Sequence, residues 1–197
     1  KLKLNQVNFK LNPSNFEFEV FTSDPQIAIN QKNIDLENIK FDLNIFDYIS
    51  NKNPISEISI ISRENNINQF TDFINEYDFN LARNLILKQI KKGKVKLISK
   101  ITFDKKSPKN IQYTFNGSVT DAEIKLPNQS TIENIKFDFL VDRDVINLNE
   151  IELSFDKFFV ASEKIRIKKI NNYFEISGNF KTNETKINLN NYRKFIN

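Results

Sequence analysis

The sequence lacks histidine, cysteine, methionine and tryptophan, and it contains only three glycines. Without histidine and cysteine, the chain has no Ser–His or Cys–His pair, no thiolate nucleophile and few of the usual zinc or iron ligands. The three glycines, Gly93, Gly117 and Gly178, are too scattered for a glycine-rich loop that binds phosphate. Carboxylates occur mostly at alternating positions that face solvent. We therefore expect no enzyme activity, no cofactor and no metal site.

Long apolar runs and a strong charge bias are also missing. No stretch approaches the roughly 20 apolar residues of a membrane-spanning helix, and no signal peptide is visible. The net charge is +4, and lysines alternate with acidic residues, which is typical of a solvated surface and predicts no nucleic-acid partner. Because Lys1–Leu11 already alternates like a strand and contains no Met, we interpret the chain as a segment of a longer protein, with any membrane anchor upstream.

The chain is dominated by alternation of apolar and polar residues, which predicts strands with one apolar and one polar face. Asn-Pro, Asp-Pro, Asn-Gly and Asn-Asn pairs separate these runs, and no segment resembles a flexible linker, so residues 1–197 are predicted to form one mainly β domain. The predicted strands are Leu2–Leu11, Asn15–Phe21, Ile27–Asn30, Ile34–Ile45, Ile55–Ser62, Lys94–Asp104, Asn110–Leu126, Ile132–Val141, Val145–Val160, Lys164–Ile170, Asn172–Lys181 and Glu184–Leu189.

One segment has a different period. Between Ile67 and Lys92, apolar residues recur at steps of three and four, which predicts an amphipathic helical insertion, or two short helices broken near Asp78–Asn80. Gly93 is interpreted as the helix terminator, after a lysine-rich last turn that suits the helix dipole. We expect the apolar stripe of this helix to pack on the sheet. A helix on a membrane surface is the alternative.

The hexapeptide ENIKFD occurs twice, at Glu37–Asp42 and at Glu133–Asp138. Both copies follow one scheme, in which an apolar residue and two polar residues precede strict alternation that starts with an apolar residue. The same scheme recurs at Leu4–Leu11 and Leu148–Phe155. The two polar residues reverse which side chains face inward, as a β-bulge or a tight turn does. We predict such an irregularity in each copy, although the identity of the hexapeptides reflects the abundance of Lys, Asn and Ile.

Several predicted strands are far longer than the usual length of about 5 or 6 residues. A long, curved antiparallel sheet with one apolar face needs a large covering, and only one helical segment is available. Two arrangements remain open. The sheet can close on itself as a β-sandwich with a structural or adhesive role and no ligand. Alternatively, its inner face covers a molecule that the chain does not supply.

Part of the chain carries a family resemblance. Its elements are a helix leading into Lys91–Val95, the strand Lys96–Asp104, the hairpin strand Asn110–Glu123, the segment Ile124–Pro127 before the second hexapeptide, and the closing segment Asp144–Phe155. This run, Leu85–Phe155, resembles the AsmA-like envelope proteins, in particular the YhdP-type members, with TamB as a more distant relative.

The resemblance implies a long U-shaped β-groove (β-taco-like) in the periplasm of a Gram-negative bacterium. It implies a tether to the inner membrane and movement of phospholipid towards the outer membrane, with phospholipid acyl chains as the ligand. Apolar strand faces suit this role, because burial of each methylene group stabilises by about 0.8 kcal/mol. For each lining position, plain core is the alternative. The predicted groove lining consists of Ile39, Phe41, Leu43, Ile135, Phe137, Phe139, Ile151, Leu153 and Phe155.

Overall fold

The protein is mainly β, as the alternation predicts. The computed structural model describes residues 1–14, 16–29, 32–70, 89–104, 111–126, 130–142, 145–155, 158–170 and 173–183. Strands contain 79% of these residues and form one large open antiparallel sheet that is not a closed barrel. The described strands therefore do not divide into the two packed sheets of a β-sandwich.

Fourteen strands, one short helix and a helical stretch at residues 67–70 make up the described secondary structure. The helix is α1 (Ile45–Ile49). The strands are β1 (Leu2–Lys3), β2 (Gln6–Asn12), β3 (Glu17–Ser23), β4 (Gln26–Ile29), β5 (Lys32–Asn44), β6 (Ile55–Ser62), β7 (Asn65–Asn66), β8 (Ile90–Phe103), β9 (Ile111–Lys125), β10 (Thr131–Asp142), β11 (Val145–Phe155), β12 (Phe158–Ile170), β13 (Tyr173–Gly178) and β14 (Lys181–Thr182).

Strands that follow one another in the chain mostly lie side by side in the sheet. The order β5-β6-β8-β9-β10-β11-β12-β13 forms a continuous antiparallel ladder. On its other side, the first part of β5 pairs with β4 and the rest of β5 pairs with β3. β1 pairs with β4, and β2 pairs with β3. The two-residue strands β7 and β14 pair with β8 and β12. Antiparallel neighbours need only short connections, which agrees with the Asn- and Pro-rich breaks in the sequence.

The two faces of the sheet differ in polarity. Residues directly opposite each other on paired strands project from the same face, so the register assigns side chains to faces. Phe41 lies opposite Ile58, and Phe139 lies opposite Leu148. Following the register from strand to strand places these four residues on one face, which we call the apolar face. The alternate positions, such as Lys40, form the polar face.

A row of β-bulges crosses four neighbouring strands. Gly93 in β8, Asp121 in β9, Asn134 in β10 and Glu150 in β11 have φ angles of 143°, 51°, 52° and 50°. The strand registers shift at these positions. Because a bulge bends its strand and increases the local twist, bulges on adjacent strands curve the sheet along one line. We call these four residues the bulge row.

The same line of irregularities continues into the first part of the sheet. The register of β5 against β6 shifts between Leu36 and Asn38. Asp24, with a φ angle of 48°, and Pro25 separate β3 from β4. The bulge or turn predicted for the repeated scheme is thus confirmed in β5, β10 and β11. In the copy at Leu4–Leu11, the polar pair Asn5-Gln6 lies at the passage from β1 to β2.

The helix predicted from Ile67 to Lys92 is wrong at its C-terminal end. Residues 67–70 are helical, and residues 71–88, with the predicted break at Asp78–Asn80, lie outside the described residues. However, β8 already begins at Ile90, and Gly93 occupies a bulge within this strand. The glycine signal was ambiguous, because a positive φ angle suits a β-bulge as well as a helix terminus.

Some predicted strand boundaries are also wrong. Val145–Val160 is divided between β11, which ends at Phe155, and β12, which begins at Phe158. The two residues between them include no Gly, Pro or Asn, so the sequence gives no strong turn signal there. Ile45 begins α1 instead of ending a strand. The predicted strand Glu184–Leu189 lies outside the described residues.

Fully buried apolar side chains concentrate near the line of bulges, on the apolar face. They include two clusters: Val95, Val119, Ala122 and Ile135, and Ile34, Leu36 and Ile39. Phe70, from the helical stretch, packs against both clusters. The described core is therefore a band along the curved part of the sheet, not a layer that covers the whole face.

Candidate functional site

All nine residues predicted as groove lining lie on the apolar face. They come from three strands: Ile39, Phe41 and Leu43 from β5, Ile135, Phe137 and Phe139 from β10, and Ile151, Leu153 and Phe155 from β11. β10 and β11 are neighbours, whereas β6, β8 and β9 separate them from β5. The sheet thus brings six of these residues together directly and connects the other three through intervening strands.

Burial divides the nine residues into two groups. Ile39, Ile135, Ile151 and Phe155 are only 4%, 5%, 5% and 8% exposed. They belong to the core along the curved part of the sheet, in agreement with the core alternative for these positions. The other five are half-buried and form the accessible part of the predicted lining: Phe41, Leu43, Phe137, Phe139 and Leu153.

Aromatic rings occupy the middle of the accessible lining. The ring centroids of Phe137 and Phe139 are 6.4 Å apart, with an angle of 59° between the ring planes. On β9, the rings of Tyr113 and Phe115 are 5.4 Å apart. These residues lie on one face of adjacent strands, so together they present a broad aromatic surface.

The sequence reasoning missed the lining residues of the intervening strands. The nine predicted lining residues all belong to the repeated scheme. The other lining residues lie outside that scheme, although period-two alternation places them in predicted strands. The strand registers put the following side chains on the apolar face: Ile58 and Ile60 in β6, Leu97 and Ile101 in β8, Tyr113, Phe115 and Val119 in β9, and Val160, Ile165 and Ile167 in β12.

The apolar face becomes more exposed away from the bulge row and towards the sides of the sheet. Tyr113 and Ile111, near the end of β9 distant from the bulge row, are 40% and 50% exposed. Phe9 on β2 and Ile176 on β13 are 69% and 68% exposed. Contiguous exposed apolar surface of this kind marks a binding surface in soluble proteins. The described residues therefore leave much of the apolar face open.

The polar face carries ion pairs within and between strands. Lys40 Nζ lies 3.1 Å from Glu19 Oε2 and 3.6 Å from Asp42 Oδ1. The hydrogen bond that Lys40 donates to Glu19 is the main reason that its pKa is raised above 10.5. Lys100 Nζ lies 2.8 Å from Glu57 Oε2 on the neighbouring strand. These pairs suit contact with water, in contrast to the apolar side chains of the other face.

The described residues contain no group of three or more acidic side chains that suits a metal ion. Nor do they include a helix that is long and apolar enough to span a membrane. A cavity of about 550 Å³ lies where β8, β9 and β10 end away from the bulge row, and polar residues such as Lys100, Gln112 and Asp142 line much of it. It is distinct from the centre of the apolar face, because Lys100, Gln112 and Asp142 lie at polar-face positions of their strands.

Known proteins provide no match to this chain. No protein-family model matches it, and neither the curated proteins nor the solved structures contain a significant match. The chemistry of the sheet and the sequence motifs of the chain are therefore the features that bear on its function.

Proposed function

We propose that the chain binds lipid acyl chains on its apolar face, as a groove segment of an AsmA-like envelope protein that supports phospholipid transport between the inner and outer membranes. The observation that carries this proposal is the open sheet, whose apolar face is continuous across the strands and only partly buried. Its half-buried aromatic and aliphatic side chains suit hydrocarbon.

The dimensions of the face suit acyl chains. From β5 to β12 the face crosses seven neighbouring strands. At a strand spacing of about 4.8 Å, this corresponds to roughly 30 Å. The hydrocarbon core of a bilayer is also about 30 Å thick, so each acyl chain extends over about half of that length. The face is therefore wide enough for complete acyl chains.

Binding and sliding follow from the same physical property. Each methylene group that leaves water for the apolar face stabilises the complex by about 0.8 kcal/mol. Movement along the face exchanges one apolar contact for another, so the free energy changes little from strand to strand. Polar head groups stay in water at the open ends of the strands. This mechanism needs no catalytic residue and no cofactor.

The cellular setting of the proposal rests on the resemblance of Leu85–Phe155 to AsmA-like proteins. On this basis we place the chain in the periplasm of a Gram-negative bacterium, tethered to the inner membrane by a segment outside this sequence. Cell fractionation of the full-length protein tests the setting. We expect recovery with the inner membrane and digestion by protease added to the periplasm; recovery in the cytosol would contradict it.

Native mass spectrometry of protein purified from a membrane-containing host tests lipid binding. We expect phospholipid to remain bound to the wild-type chain. Phe137→Asp places a charge on the apolar face and should abolish this binding, whereas Lys136→Asp changes the adjacent residue on the polar face and should not. Circular dichroism checks that both variants fold. Leu43→Asp, on β5, provides a second groove variant if Phe137→Asp does not fold.

Consistent recovery of folded wild-type protein without lipid would refute the proposal. That outcome would favour the alternative of a structural or adhesive β domain with no lipid ligand.

A further inference from the structure

Four large apolar side chains are exposed together at one end of the sheet. Phe16 precedes β3, and Phe46, Tyr48 and Ile49 belong to α1, which connects β5 to β6. Their exposed fractions are 47%, 54%, 72% and 69%. We call these four residues the tip patch. No residue of α1 is buried, so the helix does not form part of the described core.

The tip patch is held in place by local hydrogen bonds and ring contacts. The Asn44 side chain accepts a hydrogen bond from the Asp47 N–H at 3.1 Å and caps α1. The Ile45 N–H donates to the Phe16 carbonyl at 3.2 Å. The rings of Phe16 and Phe46 meet at a centroid distance of 4.8 Å and an angle of 65°. The apolar side chains are therefore presented in a defined arrangement.

The tip patch adjoins the apolar face. Glu17 at the start of β3 lies opposite Asn44 at the end of β5, so the connections before β3 and after β5 are side by side, away from the bulge row. At this end of the sheet, Phe18 lies opposite both Leu11 and Leu43 on the apolar face. Exposed apolar surface thus extends from the groove face to the tip patch.

We propose that the tip patch inserts into the interfacial layer of a lipid bilayer and lets acyl chains pass between that bilayer and the groove. This inference rests on the proposed function and adds the place at which the groove contacts its membrane. The amphipathic ring of Tyr48 suits the boundary between head groups and hydrocarbon, and apolar side chains such as Phe46 and Ile49 suit the hydrocarbon just below it. Four partly exposed side chains of about 150–250 Å² each present less surface than the roughly 800 Å² that each partner buries in a stable protein complex, which favours a bilayer over a protein partner.

The charges around the tip patch indicate how it binds. Glu17 directly follows Phe16, Asp47 lies within α1 and Lys52 follows the helix, so the residues beside the tip patch carry no excess of positive charge. Binding therefore depends on insertion of apolar side chains and not on attraction to anionic lipid. We expect similar affinity for neutral phosphatidylcholine vesicles and for vesicles that also contain phosphatidylglycerol.

Because the chain contains no tryptophan, a single introduced indole reports on the tip patch without interference. Tyr48→Trp should show a blue shift of its emission with phosphatidylcholine vesicles and quenching by lipids brominated on the acyl chains. Phe159→Trp is the control, because Phe159 is 40% exposed and lies on the polar face of β12. An unchanged Tyr48→Trp spectrum, equal shifts of both variants, or binding that requires anionic lipid would overturn the inference.

A second pair of variants separates this inference from the proposed function. The double variant Tyr48→Ser/Ile49→Ser should reduce vesicle binding by about tenfold or more while its groove still carries phospholipid. Phe137→Asp should lose bound phospholipid and keep vesicle binding. Unchanged vesicle binding of the double variant would refute the role of the tip patch alone. Vesicle binding by a wild-type chain whose groove never carries lipid would refute the proposed groove alone.

Discussion

Gly117 and Phe139 lie directly opposite each other on β9 and β10, and the Phe139 ring covers the glycine. A Cβ atom added at Gly117 would lie 2.9 Å from Cζ of Phe139 and would overlap the carbonyl oxygen of Lys96 on β8. The absence of a side chain at Gly117 therefore allows β8 and β9 to pair closely. It also allows the Phe139 ring to lie over the glycine on the apolar face.

Gly117→Ala should destabilise the protein by about 3 kcal/mol, because the backbone of β8 must move to admit the methyl group. Chemical denaturation measures this change. Asn116→Ala, at the exposed neighbouring position on the polar face, is the control and should change the free energy of unfolding by less than about 0.5 kcal/mol. Equal effects of the two substitutions would show that the close approach at Gly117 is not tight.

The bulge at Asn134 makes the stability of the protein sensitive to which residue occupies this position. Asn134 has a φ angle of 52°, which a β-branched residue adopts only with strain. Asn134→Val should therefore lower the free energy of unfolding by about 2 kcal/mol, whereas Asn134→Gly should change it little. Glu133→Val is the matched control at the preceding exposed position, where φ is not positive. A larger loss for Glu133→Val than for Asn134→Val would contradict the assignment of the bulge.

Thr22 supplies a buried acceptor beside the irregularity in β5. It is 1% exposed, and its Oγ1 accepts a hydrogen bond from the Ile39 N–H at 3.1 Å. Thr22→Val keeps the shape of the side chain but removes the acceptor, and should destabilise the protein by about 2 kcal/mol. Thr22→Ser keeps the hydroxyl group and should destabilise it less. Thermal unfolding of both variants gives the order, and the reverse order would show that packing of the methyl group matters more.

The Lys40 ion pairs predict a loss of stability at alkaline pH. The pKa of Lys40 is raised above 10.5 in the folded state, mainly by its hydrogen bond to Glu19. The stability from these pairs is therefore fully present below pH 10.5 and is lost as the pH rises through the raised pKa. Both Lys40 and Glu19 are about a third exposed, so solvent screening limits the contribution to about 0.5 kcal/mol.

Denaturation of wild type and Lys40→Met across this pH range measures the contribution. The difference in free energy of unfolding should shrink above the raised pKa. Lys136→Met, on the polar face of β10, provides a control for loss of a lysine. A difference that grows at alkaline pH would contradict the stabilising role of the Lys40 pairs.

Most strands follow from local patterns. Ile55–Ser62 matches β6 at both ends, because the Asn53-Pro54 pair marks its start and the charged pair Arg63-Glu64 follows its end. The end of the helical segment was wrong because Gly93 is compatible with both a helix terminus and a bulge. The two-residue connection between Phe155 and Phe158 was missed because it contains no Gly, Pro or Asn.

The sequence predicted the face on which the candidate site residues lie, but not which of them are buried. Alternation places Phe41 and Phe137 on the apolar faces of their strands, and the sheet confirms this placement. The burial of Ile39 and Ile135 depends on neighbouring strands and on Phe70, which lie far apart in the sequence. Local patterns carry no information about such contacts.

The sequence by itself determined the β-strands and their apolar and polar sides, because backbone geometry alternates side chains regardless of the rest of the chain. Only the tertiary structure decided which strands become neighbours and how bulges on separate strands align into one curved line. It also decided which apolar residues are covered and which stay exposed. Those outcomes depend on hydrogen bonds and contacts between residues that are distant in the chain, so they arise only when the whole sheet has assembled.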